Sequence, residues 1–285
     1  MSETPAILAE GFGYLEAARW HDGALYFSDI GHRKVFRMSL DGSHEALFTL
    51  AARPSGIGWT PDGEMLVIGM EDNTLNTVGK SGQVIARREL AGLVKYANDM
   101  VVDDSGRAYV SQFGYDLFNH APPEPTGVIT IAPDGQISQF GEGLIFPNGI
   151  GITPDGKTLV VAESFGFRLS AFDIATDGSL SNQRIFADFG GNQNAVTDGL
   201  CIDAEGAVWI GMPFAGEFWR VRDGGEITNR IKPKGRYSYC VDCALGGDDG
   251  RTLFLLCADT NVERMADNWD SEASVQAISV EIPAP

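Results

Sequence analysis

Long apolar runs are missing from this chain. No segment approaches about 18 consecutive apolar residues, so no membrane-spanning helix is expected. The opening Met1-Ser2-Glu3-Thr4-Pro5 has neither a basic region nor a long apolar stretch, so no secretion signal is expected there. Positive charge is also scarce: 21 Lys and Arg stand against 39 Asp and Glu, a net charge of -18. That excess argues against nucleic acid and anionic membrane surfaces as partners. It suits attraction of a cation, although solubility accounts for most of it. Only four cysteines occur, Cys201, Cys240, Cys243 and Cys257, all inside expected strands. Cys240-Val241-Asp242-Cys243 is a C-x-x-C string, but on a strand those two side chains point to opposite faces. Buried apolar thiols are therefore expected rather than a redox pair or zinc site, which fits a reducing cytoplasm. His21, His32, His44 and His120 are the only histidines. His21, His32 and His44 fall in turns or strand ends of the first repeat, so a histidine-ligated zinc centre is poorly supported. Ser28, Ser111 and Ser164 end strands, but none lies in a G-x-S-x-G elbow.

What the chain does have is a repeat. Thr197-Asp198-Gly199-Leu200-Cys201-Ile202-Asp203-Ala204-Glu205-Gly206-Ala207-Val208-Trp209-Ile210-Gly211 reads as two strands joined by a tight turn. Equivalent turn glycines open second strands at Gly23, Gly63, Gly106, Gly156, Gly206 and Gly250. Their spacing of about 40 to 50 residues is that of a four-stranded propeller blade. A third strand follows each one. Asp41-Gly42, Ser81-Gly82, Asp134-Gly135, Asp177-Gly178 and Asp223-Gly224 then turn five of them into a fourth. The expected fold is all-β: a six-bladed β-propeller forming a single domain over residues 1–285. The sixth blade runs out of chain before its fourth strand, while Ala6-Ile7-Leu8-Ala9 has no blade of its own. That N-terminal strand is expected to close the last blade and cover its open edge.

The repeat also predicts a site. Eight residues before Gly63, Gly106, Gly156 and Gly206 stand Ser55, Asn98, Asn148 and Asp198. Glu16 holds the matching place in blade one, one residue closer because its turn is shorter. Inner strands line the central channel of a propeller, so equivalent positions form a ring at one mouth. Two carboxylates and three neutral oxygen donors at one depth suit a hard divalent cation. The alternative is that these polar residues bind water and cap strand ends.

At this point the residues resemble the gluconolactonase / senescence-marker-protein / luciferin-regenerating-enzyme family. Gly13-Tyr14-Leu15-Glu16-Ala17-Ala18-Arg19-Trp20, Tyr96-Ala97-Asn98-Asp99, Pro147-Asn148-Gly149 and Thr197-Asp198-Gly199-Leu200-Cys201-Ile202-Asp203 carry the resemblance, in order and at one blade register. It implies a six-bladed propeller with one catalytic divalent metal. It implies Glu16, Asn148 and Asp198 as metal ligands. Asn98 is implied as a further ligand or as the group that holds substrate beside the metal, and Asp198 as the base for the attacking water. The family often has Ser-Pro after the metal Glu, where this chain has Ala17-Ala18. Sugar-lactone members often carry Arg two residues before the Asn-Asp pair, where this chain has Tyr96. An Arg fork suits sugar hydroxyls, whereas Tyr offers a flat apolar face with one hydroxyl.

Two loops exceed what a blade needs. Residues 113–125 interrupt blade three and are expected to border the mouth. The family sometimes places a substrate-binding carboxylate near the start of this loop, and Asp116 is the nearest match. Residues 261–270 interrupt blade six and are expected to be surface filler. Phe146, Phe165 and Phe167 fall near strand ends, as core or as walls of a pocket. The expected function is metal-dependent hydrolysis of a cyclic ester, a lactonase acting on a small molecule less polar than a sugar lactone. Asp198 and Asn98 are the catalytic residues, and Tyr96, Asn98 and Asp116 the substrate-binding ones. Calcium, magnesium, manganese, zinc and iron(II) are all compatible with a mixed carboxylate and amide set. Two rivals stand beside this reading. One is the same scaffold acting on other esters or phosphoesters, or on a non-hydrolytic step; the other is a non-catalytic propeller binding calcium or protein.

Overall fold

In a computed structural model of the chain, residues 4–90, 92–119, 121–266 and 269–285 are described. Their strands form six four-stranded antiparallel sheets. Blade one runs Leu15–His21, Ala24–Asp29, Lys34–Met38 and His44–Thr49 in consecutive order. Blades two to five repeat that order from the inner strands Pro54–Trp59, Ala97–Val102, Pro147–Ile152 and Leu200–Ile202. Short antiparallel strands joined by tight turns follow from alternating apolar residues punctuated by glycine. At Gly206 the turn needs φ of +78°, a conformation that costs a residue with a Cβ.

Blade six is built from both ends of the chain. Tyr239–Gly246, Thr252–Asp259 and Glu272–Ser279 pair in order, and Ala6–Phe12 adds the outer strand antiparallel to Glu272–Ser279. Bulges between Ile7 and Ala9 and between Glu10 and Phe12 bend this closing strand. Its last residue, Phe12, is 4% exposed and meets the rings of Phe27 and Phe36 edge-on at 5.3 and 5.2 Å. The N-terminal strand is thus stapled to blade one as well as hydrogen-bonded to blade six.

The cysteines depart from the expectation in one respect. A bulge between Cys240 and Asp242 adds a residue to the inner strand of blade six. The extra residue reverses the alternation, so Cys240 and Cys243 fall in the same buried cluster, with Leu253 and Leu255, and not on opposite faces. All four thiols are free; Cys201 is partly exposed and its Sγ lies 3.7 Å from that of Cys243. His21 stacks on Trp59, His32 bonds Asp29 and His44 packs on Phe12, all within reach of blade one, whereas His120 lies outside the described residues. Among the described residues no helix is long and apolar enough to cross a membrane.

Candidate active site

Three inner strands, and the segment leading into the fourth, bring four residues from four blades into one hydrogen-bonded chain. Ser55 Oγ donates to Asn98 Oδ1 at 3.1 Å, Asn98 Nδ2 donates to Asn148 Oδ1 at 2.9 Å, and Asn148 Nδ2 donates to Asp198 Oδ1 at 2.6 Å. Positions equivalent in the repeat are therefore adjacent in space, as the blade register requires. Ser55 is fully buried and supports Asn98 from behind, while Glu16, Asn98, Asn148 and Asp198 face one cavity of about 280 Å³. Asn148 Nδ2 also reaches Ser164 Oγ at 3.1 Å, and Ser164 lines the same cavity.

Close packing between blades holds the ring in register. Gly149 N donates to Asp198 O at 3.1 Å and Gly199 N to Val241 O at 2.8 Å, tying blade four to blade five and blade five to blade six. A Cβ at Gly199 would collide with the Asp242 carboxyl, so glycine is required by that approach. Asp242 in turn accepts from Ala18 N at 2.7 Å, which joins blade six to the strand carrying Glu16. Asp242 stands eight residues before Gly250, so the same count that finds Asp198 also finds it. Arg19 pairs with Asp99 at 2.7 Å, which joins the inner strands of blades one and three.

Glu16 and Asp198 are only 6% and 5% exposed. No described residue donates a hydrogen bond to the Glu16 carboxylate or forms an ion pair with it, whereas Asp198 accepts from Asn148 Nδ2. Burial first, and then Asp198, Asp242 and Asp99, push the Glu16 carboxyl well above its usual range. Asp198 is pushed the same way by burial and Asp242, against the hydrogen bond from Asn148. Burial and Asp99 raise Asp242 to about 7. No three His, Cys, Asp or Glu side chains among the described residues form a metal cage by themselves. The set is two carboxylates completed by amides, all oxygen donors for a hard cation. An unpartnered buried carboxylate beside a second acid fits a divalent cation, which would offset both charges.

The rest of the cavity wall is apolar and largely aromatic. Phe113 and Phe146 stack at 4.3 Å, and Phe165 meets Phe146 edge-on at 5.1 Å. Tyr14 and Trp269 are 5.4 Å apart on the same cavity. Phe146 and Phe165 thus wall the cavity, and Phe167 is not among the lining residues. Phe113 and Leu117 bring the blade-three loop to the mouth, as expected. The blade-six loop is not surface filler: Val262, Met265 and Trp269 line the cavity, and Arg53 sits over the Trp269 ring at 5.2 Å. Its short helix Val262–Ala266 folds inward because Trp269 and Met265 pack on the core of blades six and one. Asp267 and Asn268 of that loop lie outside the described residues. Tyr96 and Asp116 meet each other, the Tyr96 hydroxyl donating to Asp116 Oδ1 at 3.1 Å, and neither is among the cavity-lining residues.

Residues 14–259 match the family model described as the SMP-30/gluconolactonase/LRE-like region. The chain belongs to this family. Regucalcin of Xenopus laevis is 26% identical over 276 residues, covering 92% of this chain and 88% of that protein. A solved regucalcin from Agrobacterium tumefaciens, described as a calcium-binding protein, superposes with a TM-score of 0.81 at 18% identity over 99% of this chain and 95% of that one. A gluconolactonase from Xanthomonas campestris superposes with a TM-score of 0.76 at 20% identity, again over 99% and 95%. At these identities the two structures establish the shared fold. Membership of the family suggests a lactonase-type hydrolase as the general activity class.

Proposed function

We propose that the protein hydrolyses a lactone with one divalent cation held by Glu16, Asn148 and Asp198, with Asn98 beside it. The observation that carries this reading is the Glu16 carboxylate, buried at the cavity floor with no described donor. The cation supplies Lewis acidity toward the lactone carbonyl. Asp198 is the proton acceptor for the attacking water, and Asn148 at 2.6 Å holds the carboxylate in place. Asn98 orients the ester group; its Oδ1 is fixed by Ser55, so the amide keeps one face toward the cavity. The aromatic wall excludes bulk water, which strengthens every polar contact at the floor.

The substrate in this reading is less hydroxylated than a sugar lactone. No Lys or Arg is among the described residues that line the cavity. Each sugar hydroxyl buried there without a partner would cost on the order of 1 to 3 kcal/mol. The family's gluconolactonase members favour the hydrolytic reading over a cation-binding protein without turnover. The test is activity on a panel of lactones after exhaustive chelation and after return of single cations. Activity should vanish and be restored by at least one divalent ion. Full turnover by protein shown to be free of metal would refute the proposal.

A further inference from the structure

We infer that the lactone accepted here carries an aromatic ring fused to or directly borne on the ester ring. The inference rests on reading this cavity as a cyclic-ester site and names its substrate class. Phe113, Phe146 and Phe165 form one continuous run of ring contacts on the wall, from 4.3 Å stacked to 5.1 Å edge-on. Tyr14 and Trp269, 5.4 Å apart, form a second run on the same cavity, and Phe214 lies at its mouth. Phe165 and Phe214 are 36% and 42% exposed, so rings line the route from the solvent inward.

The inner rings are held by packing. Phe113, Phe146 and Tyr14 are nearly buried, at 5%, 6% and 4% exposure. Phe146 and Trp269 have φ of +54° and +59°, a left-handed backbone that is unusual for bulky residues. Backbone strain of that kind persists where the surroundings over-determine it and clusters at ligand sites. The Arg53 guanidinium fixes Trp269 further, itself bonded to Ile30 O at 2.8 Å. Rigid rings offer π faces and polarised edges to another ring beyond simple area burial. A flexible alkyl chain would gain burial alone and lose rotamer freedom on entering. Glu16, Asn98, Asn148, Asp198 and Ser164 are the polar groups matched to the ester end of such a molecule. Hydrolysis adds one water across the acyl C–O bond, with the hydroxyl on the acyl carbon and the proton on the released oxygen.

The test separates binding from turnover. Calorimetry on the metal-loaded protein compares two unreactive lactams of equal ring count, one benzo-fused and one cyclohexane-fused. The benzo-fused lactam should bind at least tenfold tighter, and Phe146→Leu should narrow that gap to threefold or less. Phe165→Leu, at the exposed rim, makes the same comparison if Phe146→Leu does not fold. Equal affinity for the two lactams in the parent overturns the inference, and so does a gap unchanged in both variants. A tenfold gap in binding with no lactone hydrolysed upholds the aromatic site and refutes the hydrolytic reading. Lactone hydrolysis without any aromatic preference in binding does the reverse.

Discussion

Glu16→Gln separates a cation site from a polar decoration of the channel. The substitution keeps the side-chain shape and removes one of two buried charges. For 285 residues, an unfolding entropy of about 2.1 cal/mol/K per residue gives about 0.6 kcal/mol per degree at the midpoint. A cation at a hundredfold excess over its Kd stabilises the parent by about 2.7 kcal/mol, which raises Tm by about 4–5 °C. Loss of a carboxylate ligand should weaken cation binding by at least about a hundredfold, since even outer-shell partners are worth roughly 10–100-fold. At the same cation concentration the variant is then stabilised by about 0.4 kcal/mol or less, under 1 °C. The chelated proteins should order the other way. In the parent, Glu16 is buried, lacks a described donor and faces Asp198 and Asp242, so the neutral amide relieves repulsion. Scanning calorimetry with chelator and with each divalent ion reads both effects. An undiminished cation-induced shift in Glu16→Gln would refute the ligand assignment. A chelated variant that melts well below the chelated parent would show that the carboxylate has a structural partner instead.

The chelated parent should lose stability as pH rises from the ordinary carboxylate range to about 7. Burial raises the folded-state values of Glu16, Asp198 and Asp242, the last to about 7, so the folded state holds more protons than the unfolded one through that window. Tm measured at pH 5.5 and 7.5 checks this, and the slope should flatten when cation is returned; a rise with pH contradicts it. Phe12→Ala should cost about 3–5 kcal/mol, or roughly 5–8 °C in Tm, because the ring is buried against Phe27 and Phe36. Deleting residues 1–12 should cost more and lower soluble yield by exposing the edge of blade six, and an unchanged melting curve would disprove the latch. Tyr96→Arg should leave the ratio of kcat/KM for an aryl lactone and an aldonolactone within about twofold of the parent. Tyr96 bonds Asp116 and packs its ring on Phe113 from behind the cavity lining, and a shift of tenfold toward the aldonolactone would place residue 96 at the substrate after all.

The blades were legible in the amino-acid sequence because strand pairing is local. Alternation and turn glycines such as Gly206 specify two paired strands without reference to the rest of the chain. Propeller symmetry then converts equal offsets into spatial neighbours, which is why Ser55, Asn98, Asn148 and Asp198 could be named and do form one hydrogen-bonded chain. The closing of blade six by Ala6–Phe12 was legible too, since a sheet edge left without a strand demands one. Packing between distant segments decided the remainder. Trp269 becomes a cavity wall only because Tyr14 and Arg53, more than 200 residues earlier, meet its ring. Tyr96 turns to Asp116 because the blade-three loop brings that carboxylate to its hydroxyl. A single bulge puts Cys240 and Cys243 on one face, and no periodicity announces it. Period and turn chemistry act over a few residues, whereas loop direction, bulges and the environment of a buried charge are set by groups that meet only after the ring closes.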